Sequence, residues 1–230
     1  MTQLTGSTVL VVGASGVLGS LVACDLMVAG AHVIGTASSA QTLLAVDPAL
    51  HDRLVCDLRD PHSIDELVRD VTDLAPTLTG VIVASGVVAF GPARETPTRV
   101  FDQLMAINAT GPINLINALT PLLSQASDAF VLTLSGKIAE APTAGLAAYG
   151  ASKMALYAYA SAASRELRRE GIRWLDARPG HTDTGLANRA IFGKAPAFGA
   201  GLDPHGVAAK LVQAIAADVK DLPSAAFDES

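Results

Sequence analysis

Tyr149 and Lys153 stand four positions apart in the run Tyr-Gly-Ala-Ser-Lys, so on a helix they share one face. A phenol with an ordinary pKa of about 10 is a poor base at neutral pH, but an ammonium beside it stabilises the phenolate and brings proton transfer within reach. Taken alone, the spacing is more often an accident of an amphipathic helix than a site. A second group of residues changes its weight. Gly13-Ala-Ser-Gly16-Val-Leu-Gly19 follows a short apolar run, where Gly13 permits a tight turn, Gly16 lets a ligand come close to the backbone and Gly19 lets the next helix pack onto the strand. The N–H groups of Ser15, Val17 and Leu18 in such a loop, with the positive end of a helix, form a receptor for a pyrophosphate. A glycine-rich turn with no ligand is the plain alternative, since three glycines alone are a weak signal.

Both groups need a frame that brings them together. Apolar, β-branched runs predict strands at 9–12, 31–36, 54–56, 80–84, 129–134 and 173–177, and apolar periodicity predicts helices at 18–28, 63–74, 99–123 and 149–170. The strands lack polar alternation, as a parallel sheet covered on both sides requires. The expected fold is therefore α/β: a doubly wound, Rossmann-type parallel sheet of six to seven strands with helices on both faces. It forms a single domain over 1–230, with no linker or repeat. In that frame the glycine loop follows the first strand, and Tyr149 opens the helix after the fifth.

Half of the 230 residues are apolar and 17% are charged, a balance that excludes disorder and a disulfide scaffold. A chain of this length buries roughly 70% or more of its extended surface. Sixteen Lys and Arg against 22 Asp and Glu give a net charge of −6 with no basic block, so no nucleic-acid partner is expected and a small molecule is. Residues 1–24 carry no charged side chain, yet glycines and hydroxyl residues interrupt them and no Lys or Arg supplies the basic start of a signal peptide. The run 76–93 is likewise broken by Pro and Gly. No membrane segment is expected, and Cys24 and Cys56 are read as reduced, buried thiols of a cytoplasmic protein.

With the glycine loop upstream and Arg178-Pro179-Gly180 downstream, the chain resembles the short-chain dehydrogenases/reductases over about residues 7–215, in consistent order. By that resemblance Asp57 and Leu58 contact an adenine, and Ala84-Ser85-Gly86 stands where the family usually has Asn-Ala-Gly. Asn108 matches the residue that holds a water linking the Lys to solvent. Pro179, Gly180, Thr182 and Thr184 match the loop that binds a nicotinamide carboxamide. Tyr149 is then the general acid/base of a carbonyl–alcohol interconversion, and Lys153 binds the nicotinamide ribose and lowers the Tyr pKa. The resemblance implies an NADP or NAD cofactor. Thr36-Ala37-Ser38-Ser39 at the end of the second strand offers neither the acid that binds a ribose 2′-OH nor an Arg, which leans toward NADP with Ser38 as a phosphate donor.

Three positions depart from the family pattern. Val17 stands where most short members carry their middle Gly. The catalytic Ser normally lies thirteen residues before the Tyr, which here is Gly136, so Ser135 is the expected donor that polarises the carbonyl. The final strand is not evident in 221–230, and the sheet either stops at six strands or closes with a short irregular one around 225–227.

Weaker candidates complete the reading. His181 either faces substrate or packs beside the cofactor, Lys137 and Glu140 rim the pocket as a solvated pair, and the five histidines show no metal-ligand spacing. Residues 186–202 read as a mostly apolar lid over a modest, largely apolar carbonyl or alcohol. Ala151, Ala155, Ala158 and Ala162 make a stripe of small residues that lets a second copy approach, giving a homodimer, or a homotetramer if the tail after Leu222 adds an interface. The competing function is a dinucleotide-binding sensor or scaffold that has lost turnover. An epimerase or dehydratase is disfavoured by the short C-terminal part.

Overall fold

Short apolar runs become strands here because helices cover both of their faces. In the computed structural model, which describes residues 2–228, β1 (Thr8–Val12), β2 (His32–Ala37), β3 (Asp52–Val55), β4 (Gly80–Val83), β5 (Phe130–Leu134) and β6 (Arg173–Ala177) form one sheet. Residues 1, 229 and 230, the ends of the expected 1–230 span, lie outside the described residues. The strand order is β3-β2-β1-β4-β5-β6, every pair parallel, with Val12 opposite Thr36 on one side and Val83 on the other. The order reverses between β1 and β4, so their carboxyl ends flank the crevice where open α/β sheets bind ligands.

The helices are α1 (Val17–Val28), α2 (Ala40–Leu43), α3 (Pro61–Leu74), α4 (Thr98–Met105), α5 (Gly111–Leu123), α6 (Ala147–Leu167) and α7 (Pro204–Ala216). One apolar core joins Val9, Val11 and Leu132 to Val22 and Leu26 of α1 and Leu211 and Ile215 of α7. The other joins Leu10, Val81 and Val131 to Leu67 of α3, Leu115 of α5 and Ala160 of α6. The five strands other than β3 therefore bury both faces, while the edge strand β3 alternates between half-buried and exposed residues. None of the helices among the described residues is long and apolar enough to cross a membrane.

Several elements differ from expectation. The helix expected over 99–123 is interrupted by a π turn at Ala106–Thr110. Pro112 has no N–H to give to Asn108, and the ladder slips by one, the Gly111 N–H donating to the Ala106 carbonyl. Gly111 is required there, since a Cβ would lie 2.3 Å from the Leu58 carbonyl oxygen. Helix α6 begins at Ala147 rather than at Tyr149, which places Tyr149 in its first turn. The sheet has six strands. At the seventh position only Leu222 bridges Ala177, and the expected irregular strand at 225–227 is a 3₁₀ turn, Ser224–Phe227. Helix α7, absent from the expected elements, starts with Asp203 accepting from the Gly206 N–H and Pro204 in its first turn. Both cysteines are free, but Cys24 is exposed, because it lies on the outer side of α1 while Val22, Ala23 and Leu26 face the core.

Candidate active site

A cavity of about 740 Å³ runs along the carboxyl ends of the strands, from Thr36, Ser38 and Arg59 at one end to Tyr149, Lys153 and Pro179 at the other. Gly13, with φ +90, lies so close to the loop after β4 that a Cβ would meet the Ser85 nitrogen at 2.8 Å. A Cβ on Gly19 would come within 2.3 Å of the Gly13 oxygen, so this turn folds as it does only with glycine at both places. Gly16 caps α1 without any side-chain hydrogen bond. The N–H groups of the first turn therefore have no partner within the helix, and Val17 and Leu18 present that uncompensated positive terminus to the cavity. The buried Ser85 hydroxyl also lacks a hydrogen-bond partner among the described residues. An open helix terminus and an orphaned hydroxyl on one cleft fit a phosphate-bearing ligand.

At the β2–β3 end Asp57 is gripped by Arg59, whose Nε and Nη2 donate to its carboxylate at 2.9 and 2.6 Å. That bond holds the Asp57 carboxyl below the usual carboxylate range. Among the described residues Asp57 is the one acid lining the cavity, and Arg59, absent from the sequence-derived candidates, lies beside it. Its signal was available: a cation two residues beyond the adenine-matched acid. Ser38 is exposed, with its hydroxyl 3.4 Å from that of Thr42.

At the opposite end Tyr149 and Lys153 come together as the spacing required. The Tyr149 hydroxyl makes no hydrogen bond to another described residue, and burial pushes its pKa up to about 12. Lys153 Nζ donates to the Leu134 carbonyl at 2.7 Å. Burial pulls its pKa down to about 8, against an opposing pull from Asp176. Asn108, displaced inward by the π turn, accepts from the Val87 N–H and donates to the Val87 carbonyl, both at 2.9 Å, and donates to Ser152 Oγ at 3.0 Å. Its side chain thus braces the loop after β4 against α6.

Of the residues expected in the site, Ser15, Leu58, Ala84, Gly86, Gly180, Thr182 and Thr184 line the cavity with those above, while Gly19 and Asn108 stand just behind its wall. Ser135 also lines the cavity, but its expected role as the donor to a carbonyl is not what its hydroxyl does here. Its hydroxyl is fully buried and donates to Asp176 Oδ1 instead of aiming at a substrate carbonyl. Gly136 has φ +75 and ψ 165, a conformation essentially confined to glycine, so the backbone here excludes the family's serine as well as lacking it. Lys137 and Glu140 do not pair. Lys137 lines the cavity, whereas Glu140 turns away to Arg178 Nε at 2.5 Å and to Ser224. His181 stacks on Phe198 with centroids 4.5 Å apart. Asp176 was not among the candidates, although an acid inside a wholly buried strand is itself a sign of an obligatory partner.

The profile of the short chain dehydrogenases matches residues 7–192, and the chain belongs to that family of oxidoreductases. The dehydrogenase/reductase SDR family protein 7-like of Anopheles gambiae is 26% identical, over 96% of this chain and 75% of that protein. A short-chain dehydrogenase from Streptomyces avermitilis is 25% identical with a TM-score of 0.85, covering 97% of this chain and 91% of that one. A short chain dehydrogenase from Burkholderia cenocepacia, solved in complex with NADP, has the same fold at 20% identity, with a TM-score of 0.82 over 97% of this chain and 90% of that one.

Proposed function

We propose that the protein transfers a hydride between a nicotinamide dinucleotide and a carbonyl/secondary-alcohol pair, with Tyr149 as the proton-transferring group. The observation that carries this reading is the continuity of one cleft from the uncapped start of α1 to the Tyr149–Lys153 pair. Gly13, Ser15, Gly16, Val17 and Leu18 hold the pyrophosphate, Asp57 and Leu58 the adenine, and Pro179, Gly180, Thr182 and Thr184 the carboxamide, with Ala84, Ser85 and Gly86 along the floor. NADP is preferred to NAD because no acid stands at the end of β2 to repel a 2′-phosphate, and Ser38 is there to donate to it. The dinucleotide, when bound, supplies or accepts the hydride.

The chain's own residues handle the proton. In reduction Tyr149 gives its hydroxyl proton to the carbonyl oxygen, and the Lys153 ammonium stabilises the phenolate left behind; in oxidation the proton moves the other way. With Ser135 bound to Asp176, polarisation of the carbonyl is assigned to Tyr149. Residues 186–202 close the cleft as a lid through Phe198, and Val87, Phe90, Ile138 and Leu186 give the pocket an apolar wall suited to an apolar carbonyl or alcohol. The active form is a homodimer through α5 and α6. Leu222 and Phe227 of the tail are packed onto their own chain, so a tetramer would need the tail's exposed residues for its second interface.

The test is titration with NADPH and NADH, then a panel of ketones and alcohols. The proposal requires consumption of a reduced dinucleotide with some carbonyl. A sensor without turnover, which the glycine at 136 favours, binds the dinucleotide and consumes none.

A further inference from the structure

Among the described residues three charged side chains are almost wholly buried: Lys153, Asp176 and Arg178. Lys153 belongs to the site above; Asp176 and Arg178, at the end of β6, have no part in it so far. A buried ion is costly unless its partners are fixed, so the partners indicate what the ion is for. Asp176 Oδ2 accepts from Thr133 Oγ1 at 2.6 Å, and Oδ1 accepts from Ser135 Oγ. Thr133 Oγ1 also receives the Trp174 indole N–H at 3.0 Å. An indole nitrogen only donates, so the single Thr133 proton points to Asp176, and the carboxylate is held as an acceptor.

Thr133 and Ser135 are alternate residues of β5 and its end, which puts both side chains on the face that α6 covers. Between them lies Leu134, whose carbonyl holds Lys153 Nζ at 2.7 Å. Asp176 therefore grips the strand on both sides of the one backbone group that positions the ammonium. Burial pushes its pKa up, the hydrogen bonds from Ser135 and Thr133 pull against that, and its charge is only partly offset by the nearest cation. Arg178 Nη1 is 3.5 Å from Asp176 Oδ1, but the same guanidinium also serves Glu140 at 2.5 Å and Asp221 at 2.7 Å. Three carboxylates share one arginine, and Lys153 is the next buried cation.

Resting on the oxidoreductase reading above, we propose that Asp176 is a positioning residue for proton transfer: through Thr133 and Ser135 it fixes the Leu134 carbonyl, and its negative charge keeps the Lys153 ammonium charged. Burial of Lys153 acts in the opposite direction, and Asp176 is the charge that opposes it. The other groups facing Lys153 do not compete for this role. Its own helix offers Tyr149, β6 adds Arg178 behind Asp176, the π turn offers neutral Asn108, and the loop after β4 offers Gly86, which has no side chain to compete. Ser135 thereby has a use after all, one step removed from the substrate.

Two measurements on the full chain separate this from simple packing. The first needs no turnover: ¹³C NMR titration of labelled lysine Cε, with the Lys153 signal assigned by its loss in Lys153→Met. The midpoint is expected at about 8 in the parent protein and about one pH unit lower in Asp176→Asn, a tenfold change in proton affinity. An unmoved midpoint overturns the proposal. The second is the rate of carbonyl reduction from pH 6 to pH 10. Asp176→Asn is expected to move the alkaline fall to lower pH, so that the loss at pH 8 exceeds the loss at pH 6 by about fivefold, approaching tenfold at pH 10. Equal loss at every pH is the packing result and overturns it.

Ser135→Ala removes one arm of the grip but leaves the charge, and it remains informative if Asp176→Asn does not fold. It is expected to lower kcat at least about threefold with the alkaline limb in place, and an unchanged kcat in the folded variant overturns the positioning role. If the parent protein consumes no reduced dinucleotide with any carbonyl, the oxidoreductase reading fails, while the NMR midpoint still decides the coupling of Asp176 to Lys153.

Discussion

Tyr149 enters the reaction holding its proton, since burial raises its pKa to about 12 and nothing in the free protein opposes that shift. Lys153 is the group that titrates in the working range, at about 8. Below that value the ammonium is charged and supports a phenolate on Tyr149; above it the neutral amine does not. The reductive rate is therefore expected to fall as pH rises through about 8, read from a kcat/KM profile. Two of these identities were legible in the sequence because they depend only on spacing along one helix. The role of Ser135 was not, because its hydroxyl answers to Asp176 on a neighbouring strand, 41 residues away. No local pattern at Ser135-Gly136 records that acid, or the φ of +75 that closes position 136 to a serine.

The strand-to-helix turn of β1 and α1 is the element on which ligand binding depends. Gly19→Ala would place a Cβ 2.3 Å from the Gly13 oxygen. The backbone must shift, so a stability loss of about 1–3 kcal/mol is expected together with loss of dinucleotide binding, measured by thermal melting with and without NADPH. The inner strands of this frame were readable because burial on both faces writes a continuous apolar run, whereas the edge strand β3, Asp52–Val55, starts two residues before the expected 54–56 because its first residues are charged. Helix α7 carries an equally clear signal in Asp203, Pro204 and the spacing of Val207, Leu211 and Ile215, though it lies outside the expected elements. The π turn was hidden for a different reason. Pro112 marks where a hydrogen bond is missing, but only the packing of Gly111 against Leu58 decides that the ladder slips instead of ending.

At the scale of the whole molecule, the Arg178 cluster ties the tail to the loop after β5. Burial pushes Glu140 upward, but hydrogen bonds from Ser224 and Arg178 outweigh it and leave its pKa below the ordinary 4.5. The folded state thus binds this proton less readily than the unfolded chain. Its stabilising effect is complete above about 4.5 and is lost as pH falls through the folded value. Glu140→Gln should flatten that acid loss in thermal melts. The outer face of α6 exposes Ala151, Met154, Ala158, Tyr159 and Ala162, and Phe101 of α4 is also exposed, so the small stripe is turned away from the chain's own sheet. Light scattering after size exclusion should give about twice the 23.5 kDa of one chain, and a mass of one chain would reject the dimer.

The central claim is that Tyr149 transfers the proton, and the most direct measurement compares the parent protein with Tyr149→Phe. Turnover of reduced dinucleotide with an accepted carbonyl is measured beside dinucleotide affinity. The variant keeps the ring but loses the proton. Turnover is expected to fall by about 10² to 10⁴ while affinity changes only a few fold; a variant that keeps the parent kcat would contradict the account.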